Sequence, residues 1–186
     1  MSSKIMLCIY SLFFLYSYPN SGSAESFQDC GSNINSRILA RMIIKDKDQK
    51  RVQLKCNLLL SKIANDKAKE MATLKRVAHV GRNPANKRLV EAGYPLAEIY
   101  PLSFENNVEA IAGGISDPQV MWQEFKESDV HKMHLLGEHE FYLLQNEIGV
   151  GFYYDTNTPH VEYWVIYIAH QIQFQNYEGT IAKSKD

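Results

Sequence analysis

The sequence predicts an α+β domain: helices come first and a β-hairpin closes the chain. Three observations carry this. Residues 57–77 repeat apolar side chains at the period of an α-helix. Residues 148–155 and 161–168 carry the alternation and β-branched, aromatic density of strands. Helices followed by strands, rather than alternating with them, argue for packed α and β layers and against a βαβ repeat.

The N-terminus sets the compartment. Lys4 precedes an apolar run over residues 5–16, and Gly22 and Ala24 supply small side chains ahead of a cut after Ala24. A charged start, a short apolar core and a small-residue cut site make a secretory signal peptide over residues 1–24. The run is shorter than the about 20 residues a spanning helix needs, so no transmembrane span is expected after cleavage. Cys8 lies inside the run and would leave with it. The protein is therefore expected to be secreted, or held in a periplasmic or extracellular space.

Residues 25–186 suit one domain with its own core. The full chain has 20 Lys and Arg against 21 Asp and Glu, a formal net charge of −1, and loss of Lys4 makes it one unit more negative. A chain so near neutral has no bulk attraction for nucleic acid or anionic lipid. Of the 3 cysteines, Cys30 and Cys56 remain after cleavage. In an oxidising compartment they form one disulfide or stay as buried thiols, and spacing alone does not choose.

The elements follow in order. Arg37 to Ile44 reads as a short helix with Ile38, Met42 and Ile43 on its apolar side. The charge run 45–50 reads as a solvated loop. In residues 57–77, Leu60, Ala64, Ala68 and Ala72 form one face, with Lys62, Asp66, Lys69 and Glu70 opposite. Pro84 opens a second helix that stops at Gly93. Asp117 caps a third and Pro118 fits its first position, while Ser128 starts a fourth that ends at Gly137. In the closing hairpin Ile148, Val150, Phe152 and Tyr154 alternate with Gly149, Gly151, Tyr153 and Asp155.

Five stretches, in this order, resemble the bacterial form of the CAP superfamily (cysteine-rich secretory proteins, antigen 5, pathogenesis-related 1; the SCP-like extracellular proteins). Leu54-Lys-Cys-Asn57 with Leu60, Ala64, Ala68 and Met71 looks like the family's first long helix. Ala78-His79-Val-Gly81, Arg88-Leu89 and Ala92-Gly93-Tyr94 look like its histidine loop and second helix. Phe104-Glu105-Asn106 looks like its Glu-Asn element, and Trp122 with Ser128-Asp-Val-His131 like its Trp and Ser-x-x-His element. Ile148-Gly-Val-Gly151 and Tyr163-Trp164-Val165 look like its final strands. The likeness covers residues 33–169 and implies a single domain over residues 25–186, an α–β–α sandwich with a small antiparallel sheet. It implies a cleft formed by His79, Glu105 and His131, with Glu124 or Glu127 as a further acid. Trp122 and His131 stand further apart than in most bacterial relatives.

Two imidazoles and a carboxylate can bind a divalent metal, zinc above all, with a position left for water. A glutamate beside such a water can act as a general base. Three roles follow as expectations. The first is an extracellular binding protein whose cleft holds a metal or a small-molecule, lipid or protein ligand. The second is a metal-dependent hydrolase acting on peptide or envelope material, and the third a structural module with a vestigial cleft. His134-Leu-Leu-Gly-Glu-His139 does not spell the zinc-protease His-Glu-x-x-His, so His134 and His139 read as peripheral. Gly113-Gly114 reads as a turn, since no Gly-Lys-Ser/Thr phosphate loop follows.

Overall fold

A computed structural model describes residues 27–103 and 105–172. The expected signal peptide, residues 1–24, lies outside the described residues. Among them no helix is long and apolar enough to cross a membrane. The class is α+β, as expected, with a four-stranded sheet in the order β1-β3-β4-β2.

After a 3-10 turn, Gln28–Cys30, helix α1 spans Ile34–Ile44. It begins earlier than its apolar period shows because Asn33 and Ser36 form a reciprocal capping box there. Strand β1 is the short Lys55–Cys56, and Asn57 then caps helix α2, Leu58–Thr73, through a bond from the Leu60 N–H at 3.0 Å. This helix stops short of residue 77. Lys75 turns left-handed at φ 54°, and the Lys75 and Arg76 N–H groups return to Ala72 and Met71 carbonyls. That stop frees residues 75–83 to run across the end of the helix, carrying His79. Helix α3 is Ala85–Glu91.

Strand β2, Glu109–Gly113, is followed by α4, Pro118–Glu127, which Asp117 caps through the Gln119 and Val120 N–H groups. Helix α5, Asp129–Leu136, ends on Gly137 at φ 70°, and the single-turn α6 is Glu140–Leu143. Strands β3, Glu147–Tyr154, and β4, Glu162–Ala169, form the predicted hairpin. Strand β2 pairs antiparallel with β4, while β1 runs parallel to β3. The sheet is therefore mixed and not purely antiparallel. Neither β1 nor β2 stands out in the sequence, because each is short and lacks a full period-two run.

The hairpin is covered on both sides. One core packs α2 and α3 against Ile111, Tyr163, Val165 and Tyr167. The other packs α1, α4 and α5 against Ile148, Val150, Trp164, Ile166 and Ile168. Residues alternate between the two cores along β4, which explains its unbroken apolar run. The charge run is more than a solvated loop. Asp46 accepts from Trp122 Nε1 at 2.9 Å, and Gln49 donates to the Ile43 and Leu135 carbonyls.

Cys30 and Cys56 are joined in a disulfide across a sequence separation of 26. It ties the N-terminal turn to the sheet edge beside the start of α2. Closing a loop of that length restricts the unfolded chain by about 3 kcal/mol. Urea unfolding of Cys30→Ala/Cys56→Ala is expected to show that loss relative to the oxidised protein.

Candidate functional site

The Schellman turn at the end of α2 delivers His79 to the entry of β2. There Asn106 closes a turn: its Oδ1 accepts from the Glu109 N–H at 2.9 Å and the Val108 N–H at 3.3 Å. This turn aims Glu109 inward as β2 begins. The Glu109 carboxylate is buried, while the His79 side chain is 41% exposed. His79 Nδ1 lies 2.8 Å from Glu109 Oε1, and Tyr167 donates its hydroxyl to Glu109 Oε2 at 2.5 Å. Glu109 and Tyr167 face each other in the β2–β4 register. Burial first, then the carboxylate, push the Tyr167 phenol well above its ordinary pKa, so it stays neutral and donates.

Glu109, not Asn106, fixes the tautomer. Asn106 Nδ2 lies 3.0 Å from His79 Nδ1 but donates to the Glu109 carbonyl at 2.8 Å. The strong acceptor facing His79 Nδ1 is the carboxylate, so the Nδ1 proton points to Glu109 and the Nε2 lone pair is left free. Among the described residues no protein group bonds Nε2.

His131 arrives on α5 from the other layer, its ring edge-on to Phe125 with centroids 5.2 Å apart. Burial and then the nearby His79 lower its pKa. The two predicted histidines are thus close enough to feel each other's charge. The predicted acids stand elsewhere. Glu105 is exposed and makes no hydrogen bond or ion pair among the described residues. The carboxylate that reaches His79 is Glu109, four residues on. Glu124 and Glu127 are exposed on α4. Among the described residues no group of three His, Cys, Asp or Glu is placed to hold a metal ion. Glu109 already serves His79 and Tyr167 with its two oxygens, so His79 and His131 have no third donor beside them among the described residues and a three-ligand zinc site does not fit.

Sequence reasoning missed Glu109 because an acid inside an apolar strand reads as an irregularity. The local signal is Asn106, which supplies the turn; Glu109 and Ile111, two apart on β2, then share one face of the strand. His134 is also corrected. It is 5% exposed, and burial followed by the neighbouring Arg51 lowers its pKa to about 3. It belongs to the packing of α5 and not to the periphery. His139 is exposed, as read, and its ring caps α6 through the Phe141 N–H.

No protein-family model matches the sequence, and no curated protein matches it. Among solved structures the fold is similar to an outer surface protein from Borrelia burgdorferi. The likeness has a TM-score of 0.56 at 18% identity, covering 76% of this chain and 98% of that one. At that identity the likeness speaks for the fold.

Proposed function

We propose that this chain is an exported, surface- or envelope-located binding protein of the CAP type, whose ligand docks on the free Nε2 edge of His79 opposite His131. The observation that carries the reading is the His79–Glu109–Tyr167 relay. A buried carboxylate and a buried phenol commit their hydrogen bonds to orienting one half-exposed imidazole. Such an outer carboxylate holds a ligating histidine in one tautomer and makes its free nitrogen more basic. The disulfide suits an oxidising compartment, and the fold is shared with a protein named for the outer surface. Binding is favoured over hydrolysis because the Glu109 carboxylate is fully buried and turned to His79 and Tyr167, away from any water it could activate as a general base.

Zinc is the sharpest probe of a two-imidazole cleft. In a zinc titration followed by histidine ring NMR, the His79 and His131 resonances are expected to move together. The response disappears in His79→Ala/His131→Ala, and Glu109→Gln weakens it by about tenfold by releasing the ring. Zinc that leaves both rings unmoved in the wild-type protein sinks the two-histidine site.

A further inference from the structure

A concavity of about 700 Å³ lies between the end of α2, the segment from Arg76 to Arg82 and Arg88 of α3. Lys69, Arg76, Arg82 and Arg88 line it, against two acids, Asp66 and Glu70. Both acids are ion-paired, and Glu70 Oε2, the oxygen facing Arg88, is buried and carries no further hydrogen bond among the described residues. Asp66 pairs with Lys62 at 3.2 Å. Glu70 holds Arg88 Nη1 at 2.6 Å and accepts from the Arg82 backbone N–H at 2.5 Å. The cations keep unused donors. Among the described residues the side chains of Lys69 and Arg82 make no hydrogen bond or ion pair, and Arg76 reaches only the Val80 carbonyl at 3.5 Å. Arg88 Nε is buried with no hydrogen-bond partner, and so is Nζ of Lys67, 3.9 Å from Glu70.

A chain with net charge −1 lines this cavity with four cations against two acids, and the buried Nε of Arg88 has no hydrogen-bond partner among the described residues. Burying an N–H without an acceptor is costly, and a bound anion is the partner that supplies several acceptors at once. Guanidinium groups fit the oxygens of a phosphate in pairs. We propose that this cavity is a binding site for the phosphate group of a ligand, separate from the His79 cleft. Glu70 is its frame: it fixes Arg88 and the Gly81–Arg82 backbone so that Arg76, Arg82 and Lys69 surround one position. Gly81 is required by this frame, since a Cβ there would collide with the Glu70 carboxylate.

The test is a titration of the purified protein with inorganic phosphate, read on the Arg88 Nε–Hε NMR resonance and by calorimetry. Sodium chloride at matched ionic strength is the control. A saturable shift of Arg88 Nε–Hε is expected. Affinity should fall about tenfold in Arg82→Ala and further in Lys69→Ala/Arg82→Ala, each removed cation taking a charge-assisted bond. Both substitutions fall on side chains without a structural bond, so the fold should stand. A parallel arm with phosphatidic acid vesicles identifies the carrier. Co-sedimentation assigns the phosphate to a lipid headgroup, and phosphate binding without co-sedimentation assigns it to a soluble ligand. A response no larger than that to chloride, or one equal in wild type and both variants, overturns the site.

Discussion

Gly151→Ala is expected to destabilise the domain by about 3 kcal/mol or more, the upper end of what overpacking a core costs. On β3 the Cα of Gly151 rests directly on the α2 backbone. A Cβ there would lie well under 3.0 Å from the Ala64 carbonyl group and the Asn65 nitrogen. Gly149 stands in the same relation to Leu60 and Ser61, one turn back on the helix. The obstacle at both positions is main chain, which has no alternative rotamer. Room for a methyl group can come only from lifting α2 off the sheet, and α2 carries Leu60, Ala64, Ala68 and Met71 into the core.

Gly93→Ala provides the contrast. Gly93 has φ +89° with nothing within 4 Å of the added Cβ, so its cost is the left-handed strain alone, about 1 kcal/mol. Urea unfolding of the two variants should separate them clearly. Equal losses would mean that α2 can shift over β3 at little cost, and that the close approach does not set the layer spacing.

These glycines show how far the sequence could be read. Their alternation with Ile148, Val150 and Phe152 marks a strand. That they alternate as glycines, and not as polar residues, is the mark of a face pressed against backbone, visible only once α2 is laid across it. The helices were legible because their boundaries are local chemistry, as at Asn57, Asp117 and Gly137. The site was half legible. His79 is held by a buried carboxylate, but the Glu-Asn pair points to Glu105 as the acid, and the structure puts Glu109 beside His79. Glu109 is in the site because β2 pairs with β4 and brings Tyr167 opposite it, a relation between residues 58 apart. Long-range register of that kind leaves no periodic trace in either segment. Much the same holds for His134, whose ring packs on Tyr142 and whose carbonyl is held by Arg51, 83 residues away in sequence.

Arg51→Ala is the second large effect, with an expected loss of about 4 kcal/mol from the emptied volume and the charge-assisted bonds together. Arg51 is 6% exposed, and among the described residues no carboxylate pairs with it. Its partners are neutral: the carbonyls of His134 at 2.7 Å, Leu135 at 3.0 Å and Tyr142 at 3.0 Å, and the Gln49 and Gln145 side chains. Two of these carbonyls belong to the last turn of α5, where the helix dipole favours a cation. Gly137 lets the guanidinium pass, since its Arg51 Nη1 neighbour would stand 3.1 Å from any Cβ. Burial lowers the Arg51 pKa to about 10, which still leaves it charged at neutral pH. Arg51→Lys keeps the charge but not the planar fork, so it should lose about half as much. Equal stability of Arg51→Lys and wild type would show that charge, not the five-partner geometry, holds α5. The same cation shapes the acid limb. His134 is neutral when folded, with a pKa near 3, against 6.5 when exposed. Below pH 6.5 the unfolded chain takes up a proton that the native state refuses. Stability is therefore full above that pH and falls towards pH 3 by about 1.4 kcal/mol per unit for this one group. His131 and His170, also lowered by burial, steepen the upper part of the limb. In His134→Gln one proton's worth of slope should vanish between pH 6 and 5, and a limb as steep as wild type would place the acid sensitivity on those two histidines instead.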